Sequence, residues 1–222
     1  MQTQAGDDLI ERIRTHSADG DVVGPAANDL LSELFKGYPV ENLGRLLHSG
    51  DDATVRTGTW LLSELGDLAA PMMAEVPALL AHPLRQVRFF AVEVVLMNGD
   101  ARHGSTIAQV LKLSEDPDDA VRWKVLQFLD AASTDQLAAG ASFLEAGRLR
   151  ELADWLVLQE THGPDPRGVV ARLEAPDPVT RLFGAAAAAR LSDEETSLLE
   201  HAATVEDGEI RSFAQERLSE PR

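Results

Sequence analysis

A chain of 222 residues without cysteine has no disulfide framework and no thiolate zinc site. Its 37 acids against 20 bases leave a net charge of −17, a field that repels phosphate backbones and favours basic partners, so nucleic acid is not an expected ligand. Apolar residues make up 44% and aromatics 5%, yet no apolar run reaches the roughly 18 residues of a membrane span, so no membrane association is expected. The opening MQTQAGDDLIERIR has neither a basic start nor an apolar stretch. No signal peptide is therefore expected, and the expected location is the cytoplasm.

In chain order, the first helix is expected over 7–16, with Leu9, Ile10 and Ile13 on one side. A second ends near Gly37 and carries Pro25 near its first position, where a missing N–H is harmless. Residues 39–48 form the next, closed by Gly50. Asp51 or Asp52 caps the helix after it, which Gly66 ends. A helix over 71–81 with proline at each margin leads through His82-Pro83 to one running from Leu84 to Met97, stopped by Asn98-Gly99. Helices over 105–114 and 118–131 follow, the second with Asp116 as cap and Pro117 at its first position. Ser133 and Gln136 make a capping box that starts a helix to Ala146. Another helix covers 148–160, and the Gly- and Pro-rich stretch 162–168 is a loop. Helices over 168–174, 179–191, from a capping box at Ser192 to Thr204, and over 209–219 complete about fourteen helices with no strand.

These helices fall into a repeat. From the second pair on, every second helix opens with an arginine, at Arg56, Arg88, Arg122, Arg150, Arg181 and Arg211, which lie 32, 34, 28, 31 and 30 residues apart, and the first pair has Gly24-Pro25 in its place. Upstream, Leu30-Leu-Ser-Glu-Leu34 returns as Leu61-Leu-Ser-Glu-Leu65. A period of this length marks an array of two-helix units, each burying its face on its neighbours. The units are 7–37, 38–67, 70–99, 104–131, 133–161, 165–191 and 192–219, in a single domain over 1–222. We call the first helix of each unit A and the second B.

Helical geometry sorts the B positions. The positions one before and two, three and six after the arginine hold Val87, Phe90, Ala91 and Val94 in one unit, and Val121, Val125 and Phe128 in another. This is the expected buried stripe. The opposite face carries Trp60, Arg88, Phe89, Glu93, Trp123, Gln127, Arg150, Asp154 and Trp155. Aromatics and arginines are enriched at binding hot spots, so these nine residues are the candidate partner-binding set. The competing expectation is that the three tryptophans are packing between repeats. The arginines themselves are expected to pair with preceding aspartates: Arg122 with Asp116, Asp118 or Asp119, Arg56 with Asp51 or Asp52, Arg181 with Asp177. Arg88 and Arg150 lack such an aspartate and are expected to be freer for other contacts.

No catalytic residue, cofactor or metal is expected. The six histidines sit mostly at helix ends and turns, without metal-binding spacing. The acidic 116–119 turn lacks the length of a calcium loop.

The Asp-x-x-x-Val-Arg pattern, with a small residue three places on at Thr59, Ala91, Val125, Ala153, Gly184 and Ala214, resembles the HEAT repeat. The resemblance spans essentially the whole chain. It is strong around Arg56, Arg88 and Arg122 and poor at Arg150 and in the first unit. It implies an all-α, right-handed α-solenoid of about seven two-helix repeats, with B helices lining a concave surface that binds other proteins. The expected function is then a monomeric, non-enzymatic scaffold of a small acidic bacterial type. An immunity protein neutralising a basic toxin, or an assembly adaptor, are its two forms. The alternative is the HEAT-like DNA-processing type, an alkylbase DNA glycosylase with Asp154 as acid and Trp155 as ring. A chain of this charge with three lysines supplies no basic DNA track for it.

Overall fold

The computed structural model describes residues 2–193 and 195–220. They form helices, turns and loops, with no strand among them. The repeat aspartates set the helix starts. Asp51 accepts the Thr54 N–H at 2.9 Å and its hydroxyl at 2.7 Å. Asp177 repeats the arrangement on Thr180 at 2.8 and 2.5 Å. Asp118 takes the Ala120 N–H, and Asp207 those of Glu209 and Ile210. Each side-chain oxygen satisfies an N–H that has no partner inside its helix.

Contacts divide the chain into two compact units, residues 1–98 and 99–222, at the boundary between the third and fourth helix pairs. The first contains α1 (Gln2–Thr15), α2 (Gly20–Phe35), α3 (Gly44–Leu47), α4 (Asp52–Glu64), α5 (Val76–Leu80) and α6 (Arg85–Asn98). The second contains α7 (Gly104–Lys112), α8 (Asp119–Ala131), α9 (Thr134–Ser142), α10 (Arg148–Thr161), α11 (Pro166–Leu173), α12 (Pro178–Arg190), α13 (Thr196–Ala202) and α14 (Gly208–Ser219). Among the described residues these make fourteen α-helices, in an all-α solenoid architecture.

Several local expectations change. Pro25 lies inside α2, not at its first position, because Asp19 caps the helix six residues earlier. The 39–48 helix is a 3-10 turn, Val40–Leu43, followed by the single α-turn α3. Likewise 71–81 divides into a 3-10 segment, Gly66–Met72, and the short α5. The cap of α8 is Asp118, since Asp116 instead accepts the Asp118 N–H at 2.9 Å, which leaves Pro117 in the turn. Ser133 and Gln136 do form a capping box, but their helix ends at Ser142 rather than Ala146. Ser192 is not the cap of α13, which starts at Thr196 after Glu195, and Glu194 of that segment lies outside the described residues.

Five of the six repeat arginines hold the turns by a different bond from the one expected. Arg88 donates to the carbonyls of His82 and Pro83, both at 2.8 Å. Arg122 donates to those of Asp116 and Pro117 at 2.9 and 3.2 Å. Arg181 does the same to Ala175 and Pro176 at 3.0 and 2.9 Å. Arg150 and Arg211 reach the equivalent carbonyls of Leu144 and Val205 at 3.5 and 3.3 Å. A guanidinium thus supplies donors to backbone oxygens that the end of the A helix leaves free. Arg88 and Arg150 take part, so they are not the freer pair the sequence implied. The carboxylates that Arg122 and Arg181 meet come from later repeats, Glu209 and Asp207.

The small residue three places after each arginine is buried in every repeat: Thr59, Ala91, Ala153 and Ala214 are fully buried, as is Val125. At Gly184 a Cβ would come within 2.9 Å of the Leu173 backbone nitrogen, so only glycine lets α12 approach α11 this closely.

Packing differs between the units. In residues 1–98 the B helices follow one another, α2 on α4 and α4 on α6, with each A segment on its own B helix. In residues 99–222, α12 is the hub. It packs on α8, α10, α11, α13 and α14, and α8 lies chiefly on α12, not on α10. Pairs four and six therefore touch directly, contrary to neighbour-only stacking. The cause is the run Ala185–Ala189, buried throughout, which gives α12 a small surface on every side. Arg190 at its end locks the arrangement, donating to the carbonyls of Leu129, Asp130 and Ala132 at 2.8, 2.8 and 2.7 Å and to Glu160 at 2.6 Å.

Candidate functional site

The nine candidate residues sit on one B-helix face by sequence, and the structure sorts them into three surroundings. All except Asp154, which is exposed, are half-buried.

The first surrounding is a groove of about 370 Å³ in residues 1–98, lined by Val23, Ala27 and Asn28 of α2, Arg56 and Trp60 of α4, and Gln86 and Phe90 of α6. Trp60 is its centre. Phe90 belongs to the expected buried stripe, but it is half-buried and forms the groove wall, edge-on to Phe89 with ring centroids 5.6 Å apart. The difference is a matter of position along the stack: α6 has α4 on one side and α5 behind it, and the ring at 90 points into the space between α6 and α2. Arg88 is occupied by the turn carbonyls, and Glu93 lies one turn further along α6. Two exposed apolar residues extend this face. Phe35, 57% exposed, is three turns beyond Gly24 on α2, and Met97, 48% exposed, is three turns beyond Gln86 on α6.

The second surrounding is Trp123. It lines a cleft of about 850 Å³ with Arg122, Leu126, Val179, Ile210 and the acids Glu115, Asp116, Asp177, Asp207 and Glu209. The indole is covered edge-on by Phe213 of α14, at 5.8 Å and 83°. The charges here are paired: Arg122 with Glu209, and Arg148 with Glu115 and, at 2.5 Å, with Asp177. Burial raises the Asp177 carboxyl. Its bonds to the Thr180 hydroxyl and amide, with Arg148 beside it, outweigh that and hold it below the ordinary range. Gln127 lies one turn along α8 from Trp123. Near the other end of α8, Asp130 is pushed up by burial against the pull of Arg217 and Arg190.

The third surrounding is Trp155. The Arg172 guanidinium of α11 lies 3.7 Å from its ring centroid. Burial pulls the Arg172 pKa down, and its Nε is buried without a hydrogen-bond partner. Arg150 and Asp154 form a loose pair at 3.7 Å along the same helix. An acid beside a ring that is already stacked offers no slot for an extruded base, so this pair does not reproduce a glycosylase pocket. Trp123 and Trp155 thus each have an intramolecular partner.

Sequence reasoning missed Phe90, Phe35 and Met97 as surface residues and α14 as a cover. The signal available for Phe35 and Met97 was their helical spacing: residues 24 and 35, and 86 and 97, are each eleven apart and so share a face. Nothing local in the sequence indicated α14. No group of three or more metal-ligating side chains occurs among the described residues, and none of their helices is long and apolar enough to cross a membrane.

No protein-family model matches the chain, and no curated protein matches it. Among solved structures it is similar to an engineered protein of the Northeast Structural Genomics Consortium, with TM-score 0.55 and 16% identity over 96% of this chain and 94% of that one. It is also similar to a designed armadillo repeat protein, with TM-score 0.52 and 14% identity over 95% and 97%. Together with the helix order, these likenesses identify the fold as an α-helical repeat solenoid.

Proposed function

We propose that this chain is a non-enzymatic protein-binding scaffold of HEAT-like type that takes a basic protein on the α2–α4–α6 groove. The observation that carries the reading is the groove itself: an open apolar surface around Trp60, on a chain of net charge −17. Half-exposed aromatic rings desolvate at little cost and need little ordering, which suits them to binding. The acidic field would speed the approach of a basic partner. A toxin held by an immunity protein and a basic component held by an adaptor are the two partner classes this surface suits. A monomeric cytoplasmic protein of bacterial type is the corresponding setting.

The test is the kinetics of a basic partner on the wild type and on Trp60→Ala. The expected result is an association rate that falls by about tenfold or more with added salt. Trp60→Ala is expected to lose about 2 kcal/mol of affinity with little change in stability. A salt-independent rate together with unchanged Trp60→Ala affinity would overturn the reading.

A further inference from the structure

We propose that the α2–α4–α6 groove binds one helix of its partner, laid parallel to α4, which presents an acid, an aromatic ring and a base at positions i, i+4 and i+8. The inference rests on the scaffold reading above and adds the form and register of the ligand. It comes from the way the chain already covers one of its own B helices. On α14, Glu209, Phe213 and Arg217 share one face at that spacing. Glu209 pairs with Arg122 at the start of α8, Phe213 lies edge-on to Trp123, and Arg217 reaches Asp130 at 3.1 Å near the end of α8. The two helices run parallel, N-terminal end beside N-terminal end. The acid on α14 sits in its first turn and the base in its last, the placement its own dipole favours.

The same order of charges, an arginine and an acid eight residues on, recurs on α4, with the tryptophan four residues after the arginine where α8 has it one residue after, and no helix among the described residues lies across it. Arg56 and Glu64 are exposed, and half-buried Trp60 stands midway between them, at i, i+4 and i+8. Arg56 and Trp60 line the groove, and Glu64 is one further turn along the same face. A helix with the α14 pattern would set its acid on Arg56, its ring against Trp60 and Phe90, and its base on Glu64. Phe35 and Met97, exposed on either side of that line, would cover its apolar flank. Residues 1–98 carry 14 acids and 7 bases, so the remaining surface of the ligand helix should be basic.

The probe is a synthetic helix of about 16 residues, some four turns, with Glu, Phe and Arg in this register and lysine at the outward positions. A control peptide exchanges the Glu and the Arg. Titration calorimetry should show the first peptide binding the full chain at least tenfold more tightly than the control. The preference should invert in Arg56→Glu/Glu64→Arg, whose two sites are exposed and leave the fold intact, as an unchanged melting midpoint would verify. Trp60→Ala should weaken the first peptide about tenfold. Equal affinity of both peptides for both proteins would mean plain charge attraction and overturn the register, as would no binding of either. A basic protein partner that still loses affinity on Trp60→Ala would then keep the scaffold reading and remove only the helix register.

Discussion

Helices α4 and α8 each carry an arginine at one end, a tryptophan on the same face and an acid at the other end, yet α14 lies across the face of α8 while no helix among the described residues lies across that of α4. The difference lies in what surrounds them. Residues 1–98 stack B helix upon B helix, so each spends its buried stripe on its neighbours and leaves the opposite face to solvent. In residues 99–222 the alanine-rich α12 accepts helices from several directions, which brings α14 across the face of α8. Small side chains on one central helix thus accompany the change from an uncrossed repeat surface to a crossed one. The arginine repeat is common to both units and does not decide it.

The largest test of this contrast concerns the two phenylalanines of the buried stripe. Phe128 is fully buried, and Phe128→Ala should cost about 3–5 kcal/mol. Phe90 borders the open groove, and Phe90→Ala should cost less than about 2 kcal/mol. Chemical denaturation of both variants gives the two values, and equal losses would break the contrast. Next comes enlargement. Ala187→Leu adds bulk to a helix enclosed on all sides and should destabilise by about 1–3 kcal/mol. Asn28→Leu, on the open face of α2, should stay within about 0.5 kcal/mol. Third, Trp123→Ala should cost about 0.5–1.5 kcal/mol more than Trp60→Ala, the worth of the edge-to-face pair with Phe213 that Trp60 lacks.

The smallest effect is at a cap. Asp177→Ala should cost about 1 kcal/mol at neutral pH. The Asp177 carboxyl titrates below its ordinary value of 3.8 in the folded chain, so its contribution is fully present above that value. It is lost as pH falls through the folded value. Stability measured between pH 6 and pH 3 should therefore decline more steeply in the wild type than in the variant.

Much of the architecture was legible because it is repeated. Six arginines at a period near thirty set the helix pairs, and the aspartate caps at Asp51, Asp177 and Asp207 fall where the pattern places them. The half-burial of Trp60 and Trp123 also follows from helix spacing. Three things did not. The arginine bonds go to backbone carbonyls, which carry no sequence signal. The position of α14 on α8 depends on α12 as a hub, and a run of alanines reads equally as a plain helix. The exposure of Phe90 depends on how far α2 and α6 stand apart, and local periodicity does not encode that distance.

The Arg190 clamp has a consequence for the order in which the chain acquires structure. Its acceptors at Leu129, Asp130 and Ala132 precede it by 61, 60 and 58 residues, and the Arg122 pair with Glu209 closes over 87. Contacts of that span are slow to form, because a long loop must close before they yield any stability. Residues 1–98 need only pairs adjacent in sequence, so they can settle helix by helix as synthesis proceeds, while α8 waits for the sixth and seventh pairs to arrive. Pulse-labelled hydrogen exchange during refolding should accordingly find the amides of α4 protected before those of α8. The half with the open groove would then be folded while the other half is still assembling.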